Sequence, residues 1–288
     1  MNQVARPKIE VRNVFKVFGS REKDVLALIR AGTTKDQVLA QTGCVVGINN
    51  LSLSIQSGEV FVIMGLSGSG KSTLVRHLNR LIDPSSGQIL VDGENILDYD
   101  MPALRQFRRH KVSMVFQSFG LLPHRNVLDN VAYGLKVRGE GKAVCNERAR
   151  HWISVVGLQG YEQAFIHQLS GGMRQRVGLA RALATDTDII LMDEAFSALD
   201  PLIRAEMQDQ LLELQHTLQK TIVFITHDLD EALRIGNRIA MLKDGQLVQV
   251  GTPQQILQSP ADDYVERFVR HRRVNPGDSA QPTRLFSE

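Results

Sequence analysis

The chain has 288 residues, 43% of them hydrophobic and 23% charged, the proportions of an ordinary soluble globular protein with room for a substantial core. A net charge of +3 from 34 basic and 31 acidic side chains is too small an excess to imply a nucleic acid or an anionic membrane as partner. Cys44 and Cys145 have neither zinc-ligand nor disulfide-framework spacing, which points to a reducing compartment, and no leader or stretch of about eighteen apolar residues is present, so no membrane span is expected.

Ile9 and Val11, then Leu51, Leu53 and Ile55, alternate with polar neighbours and predict half-buried strands of a small antiparallel sheet. An insertion at residues 21–43 lies between them. It reads as two short helices, the first carrying Val25, Leu28 and Ile29 on one face with Gly32 past its end. The second opens with Thr34 and Gln37 as a capping box and closes at Gly43.

The apolar run 60–64 then enters Gly65-Leu66-Ser67-Gly68-Ser69-Gly70-Lys71-Ser72, which fits G-x-x-x-x-G-K-[ST] and leads through Thr73 into a helix with Leu74, Leu78 and Leu81 on one face. The glycines allow successive backbone N–H groups to turn inward on phosphate oxygens, Lys71 adds a mobile positive charge, and the Ser72 hydroxyl is a candidate Mg2+ ligand. A nucleoside triphosphate with its metal is the expected guest.

Three further apolar runs, at 112–116, 189–192 and 222–225, read with 60–64 as strands of a largely parallel sheet buried on both faces. Each ends on groups able to handle phosphate, metal or water: Gln117, the pair Asp193 and Glu194, and His227. Ligands of open α/β sheets sit beyond the carboxyl ends of the strands, so these groups should converge on one crevice. There Asp193 would serve the metal, while Glu194 would orient and deprotonate an attacking water. Ser170 caps a predicted helix whose face carries Met173, Val177, Ala180 and Ala184; Gly171 and Gly172, without side chains, let an anion approach its N-terminus. Residues 124–168 are mainly helical. Asp244-Gly245 sits between apolar strands as a hairpin turn, another helix starts at Pro253, and residues 272–288 are expected to form a disordered tail.

The phosphate loop, Gln117, the segment LSGGMRQR, the segment ILMDEAFSALD and Thr226-His227-Asp228 occur in the order found in ATP-binding cassette ATPases, which the chain resembles over nearly its whole length. The resemblance implies a P-loop NTPase α/β fold of RecA-like type, with a mostly parallel core sheet, a small antiparallel β subdomain and a helical subdomain at about 118–172. The cassette would span 8–271. It implies ATP and Mg2+ as cofactors, Asp193 as metal aspartate with Gln117 near the metal, Glu194 as catalytic base, and His227 as a γ-phosphate contact. It places an aromatic, here Phe18, against adenine. It also implies a pair of chains, in which Ser170, Gly171 and Gly172 of one face ATP held by the other and residues 197–200 line the contact. Residues 118–124 would dock on integral membrane permease subunits. Met173 stands where glutamine is commoner, which leaves the backbone anion site intact.

The insertion, together with VFVIMGLSGSGKSTLVRHLNRLI, MVFQSFGLLPH and LMDEAFSALDPLIR, is similar to the ATPase subunits of glycine betaine/proline importers, whose relatives also energise uptake of choline, carnitine, proline betaine or histidine. That likeness implies a peripheral protein on the cytoplasmic face of the inner (plasma) membrane, working indirectly with a periplasmic or lipid-anchored solute-binding protein and not with nucleic acid. With no paired regulatory domains after the cassette, direct osmosensing by this subunit is not expected. The other class weighed is a cassette ATPase of DNA repair or translation, disfavoured because no long coiled-coil insertion and no second cassette occur here. A small-molecule kinase would have no use for LSGGMRQR.

Overall fold

The computed structural model describes residues 6–117, 120–197 and 199–274, the last few of these by backbone only. In chain order the elements are β1 (Ile9–Phe18), α1 (Glu22–Arg30), α2 (Lys35–Thr42), β2 (Val45–Ile55), β3 (Val60–Met64), α3 (Lys71–Leu78), β4 (Ser86–Val91), β5 (Glu94–Asn95), α4 (Met101–His110) and β6 (Val112–Val115). Then come α5 (Val127–Val131), α6 (Tyr133–Arg138), α7 (Lys142–Val155), α8 (Gly171–Ala184), β7 (Ile189–Asp193), α9 (Pro201–Leu218), β8 (Thr221–Thr226), α10 (Leu229–Ile235), β9 (Arg238–Lys243), β10 (Gln246–Gly251), α11 (Pro253–Gln258) and α12 (Asp263–Val274).

The six-stranded sheet has the order β10-β9-β3-β8-β7-β6, all its pairings parallel except that of the edge strand β10. Residues of β3 are buried without exception because both faces of the sheet are covered. Side chains alternate across a strand, so Val60, Val62 and Met64 pack among the helices with Val177, Ala180 and Phe196, while Phe61 and Ile63 pack against α3 and the smaller sheet with Leu74, Ile48 and Ile89. Truncating such a residue, as in Ile63→Ala, costs about 2–5 kcal/mol. The second sheet, β2-β1-β4-β5, is antiparallel throughout, as the alternation of its apolar residues predicts.

The insertion forms its two helices. Thr34 and Gln37 make the reciprocal capping box, and Gly43 ends α2 in the left-handed region at φ 69°. On α1 the buried face is Val25, Leu26 and Ile29, with Leu28 only partly covered: the helix is rotated slightly from the expected face by its contact with Phe15, Val17 and Val46. The hairpin turn at Asp244-Gly245 has φ 51° and 80°, the two left-handed residues a two-residue turn needs.

One boundary differs from expectation. Helix α12 continues to Val274, past the anticipated start of the tail at 272; the rest of that expectation, residues 275–288, lies outside the described residues. Asp262 starts this helix by accepting from the Val265 N–H, and Tyr264, Val265 and Val269 bury its inner face. Among the described residues, no helix is long and apolar enough to cross a membrane.

Candidate active site

The loop after β3 is held by close backbone contacts that exclude side chains. A Cβ at Gly65, where φ is +153°, would lie 2.2 Å from the Leu242 carbonyl oxygen, and one at Gly70 would lie 2.6 Å from that of Gly47. Gly245 donates to the Ser69 carbonyl at 3.1 Å and accepts from Asn49 at 2.8 Å, tying the loop to the β9–β10 turn and, through it, to β2. Gly70 precedes α3 without any side-chain cap, so no side chain competes for the N–H groups of that first turn. An anion acceptor suits them.

Lys71 is buried and donates to the carbonyls of Gly65 at 2.8 Å and Leu66 at 3.0 Å. Burial lowers its pKa below the ordinary lysine value, with Glu194 and Asp193 opposing. The Ser72 hydroxyl donates to Asp193 Oδ1 at 2.8 Å. Asp193, buried at the end of β7, has its pKa raised by that burial against the Ser72 hydrogen bond and the positive charge of Arg76. Ser72 and Asp193 thus present hard oxygens at one point, with Gln117 nearby, a donor set too sparse for an all-protein cage and suited to a Mg2+ that keeps phosphate oxygens and waters.

Glu194 is the next residue. It adopts φ 47°, a left-handed conformation that carries strain in a glutamate, and this turn swings its carboxylate away from the path of Asp193 into the crevice. Gln117 Nε2 donates to Glu194 Oε2 at 2.9 Å, which leaves the Gln117 carbonyl end free to act as an oxygen donor. His227 Nδ1 stands 3.7 Å from Glu194 Oε1. The parallel register Asp193↔Ile225 and Met64↔Thr226 is what levels these strand ends with one another.

A cavity of about 380 Å3 runs over the loop, lined by Ser67, Gly68, Gly70, Lys71, Ser72 and Thr73 together with Phe18, Gln117 and Glu194. Phe18 is exposed over part of its ring, with the Lys16 ammonium 5.4 Å from the centroid and Gly47 beneath; a Cβ at 47 would come within 2.7 Å of the ring. Ser170, Gly171 and Gly172 are not part of this cavity. Ser170 caps α8 by accepting from the Met173 N–H at 3.2 Å, and the three residues line a separate surface depression with Leu199 and Asp200. Residues 118 and 119 of the expected permease-docking segment, and Ala198 of the expected contact between chains, lie outside the described residues.

Two contributors have no local sequence signal. The Tyr264 hydroxyl on α12 accepts from the Leu66 N–H at 3.2 Å and donates to the Leu242 carbonyl at 2.9 Å, bracing the phosphate loop from 198 residues away. Lys35, at the start of α2, also lines the cavity.

The sequence profile described as "ABC transporter" matches residues 48–197. The chain is 56% identical over 262 residues to the glycine betaine transport ATP-binding protein OpuAA of Bacillus subtilis (strain 168), covering 91% of this chain and 63% of that protein. It is 56% identical over 263 residues to the glycine betaine/proline betaine transport system ATP-binding protein ProV of Salmonella typhimurium (strain LT2), covering 91% and 66%. The chain therefore spans just under two thirds of the length of these relatives. Among solved structures, the dimeric post-hydrolysis state of the ATP-binding cassette MJ0796 bound to ADP and Pi superposes with a TM-score of 0.73 at 31% identity, covering 85% of this chain and 98% of that one.

Proposed function

The chain belongs to the ABC transporter family, and on that footing we propose that it is the ATP-hydrolysing subunit of an importer for quaternary amines and compatible solutes such as glycine betaine, proline or choline. The observation that carries the ATPase part is the convergence of Ser72, Asp193, Gln117, Glu194 and His227 around the phosphate loop. The solute class rests on the 56% identity to two betaine-transport ATP-binding proteins.

In this reading the N–H groups of residues 65–73 and the Lys71 ammonium hold the phosphates, and Phe18 stacks on adenine. Ser72, Gln117 and Asp193 would hold the Mg2+ that accompanies the nucleotide, which would supply neutralisation of phosphate charge. Glu194 accepts a proton from the attacking water, Gln117 and His227 keep its carboxylate aimed, and His227 also meets the terminal phosphate. Ser170, Gly171 and Gly172 complete the site of a second copy, which is why they stand apart from the loop in a single chain; the dimeric solved relative supports that assembly. Closure on ATP and reopening after hydrolysis would drive permease subunits between inward- and outward-facing states, fed by a solute-binding protein, with this chain peripheral on the cytoplasmic face.

The test is reconstitution in vesicles with a candidate permease and solute-binding protein. Stimulation of ATP hydrolysis by glycine betaine, proline or choline is expected. Hydrolysis indifferent to all three, but responsive to histidine, would move the chain to an amino-acid importer.

A further inference from the structure

The inserted helices bring a cation to the nucleotide cavity. Lys35 is the first residue of α2, behind the Thr34 cap, and it lines the cavity together with Lys71 and Thr73. Its Nζ reaches the carbonyl oxygen of Gly68, in the middle of the phosphate loop, at 3.5 Å, the outer limit of a hydrogen bond. No carboxylate lies within ion-pair distance of it among the described residues, whereas Lys71 is already bound to two carbonyls. The other charged group lining the cavity is Glu194. A Cβ built on Gly68 would meet nothing within 4 Å, so the space beside Lys35 is open.

The placement is built in rather than incidental. Val38 of α2 is fully buried with Val25 and Ile29 of α1 against Phe15 and Val17 of β1, which fixes the helix that presents Lys35. Gly43 then turns the chain so that Val45, Val46 and Gly47 follow directly along the same cavity. An ammonium held by a packed helix, weakly engaged with one carbonyl and facing an anion-binding loop, is positioned to exchange that contact for a phosphate oxygen at little conformational cost.

We propose that Lys35 is a nucleotide-binding residue contributed by the insertion, a second cation for the phosphates beside Lys71. The inference rests on the nucleotide reading of this cavity and goes beyond it in giving the inserted helices a direct part in ATP affinity.

The test is the Kd for MgATP of the full chain and of Lys35→Ala, Lys35→Arg and Lys23→Ala, measured at low and high NaCl. Lys23 is an exposed lysine of the same insertion, away from the cavity. Lys35→Ala should bind about five- to tenfold more weakly at low salt, with the deficit shrinking toward unity as the Debye length falls below ~5 Å. Lys35→Arg and Lys23→Ala should stay within about twofold of the parent, and all variants should unfold at the parent temperature. If the parent binds ATP and Lys71→Ala does not, but Lys35→Ala binds like the parent, the role of Lys35 is overturned while the nucleotide site stands. A Lys35→Arg deficit equal to that of Lys35→Ala would also overturn it, since charge would not be the cause. Failure of the parent to bind ATP would instead remove the reading beneath it.

Discussion

Gln117 donates a hydrogen bond from its side-chain amide to Glu194 across the crevice, Nε2 to Oε2 at 2.9 Å, joining the end of β6 to the residue after β7. The carboxylate is therefore fixed on one oxygen by Gln117 and faced on the other by His227 at 3.7 Å. A carboxylate held in this way can keep one orientation while its proton load changes, which suits the water activation proposed for Glu194.

Glu194→Gln keeps the size and the hydrogen bond but removes the proton acceptor. Steady-state ATP hydrolysis should fall by on the order of 10²–10⁴-fold while the Kd for ATP stays within about threefold. Hydrolysis at the parent rate would remove Glu194 from the role of base.

Lys71→Ala deletes both the charge and two contacts to the loop's own carbonyls. ATP binding, followed by equilibrium titration, should weaken by at least about tenfold. An unchanged affinity would mean that the loop does not grip phosphate as drawn.

Tyr264→Phe leaves the ring packed against Phe268 and removes only the hydroxyl between the Leu66 N–H and the Leu242 carbonyl. Denaturant unfolding should show a loss of about 1 kcal/mol, and ATP affinity should fall about threefold because the entrance to the phosphate loop is no longer braced. Stability lost with affinity intact would confine Tyr264 to a packing role.

Glu231 gives a pH signature. Burial raises its carboxyl above the ordinary value of 4.5, against hydrogen bonds from Thr226 and Gln208. The folded chain holds that proton more tightly than the unfolded one, so the associated stability is present at acid pH and is lost as pH rises through the raised value. The thermal unfolding midpoint of Glu231→Gln should therefore lie above that of the parent near neutrality, with the gap closing as the pH is lowered toward 4.5. A gap independent of pH would show that ionisation of Glu231 is not its source.

Much of this site is legible in the residues themselves. The continuous apolar runs that become β3, β7 and β8 carry their own evidence of burial on two faces, and once they are parallel neighbours their last residues must come level, which gathers Lys71, Asp193 and His227. The capping box at Thr34 is local and equally plain. Contacts without local pattern are not legible. Tyr264 meets Leu66 through packing of α12 on the sheet, and nothing within either segment specifies the other. Lys35 reads as a solvated residue of a helix start until the orientation of α2 is known. The left-handed turn at Glu194 is also invisible in sequence, because glutamate has no preference for that conformation and adopts it under tertiary constraint.

The separation of Ser170 from the phosphate loop within one chain makes the central claim testable in one measurement. The Glu194→Gln chain should be loaded with MgATP and its structure determined. The account predicts two chains enclosing two nucleotides, each terminal phosphate met by Lys71 of one copy and by Ser170 of the other. Nucleotide bound to a single chain, with Ser170 of every neighbour remote from it, would contradict the account.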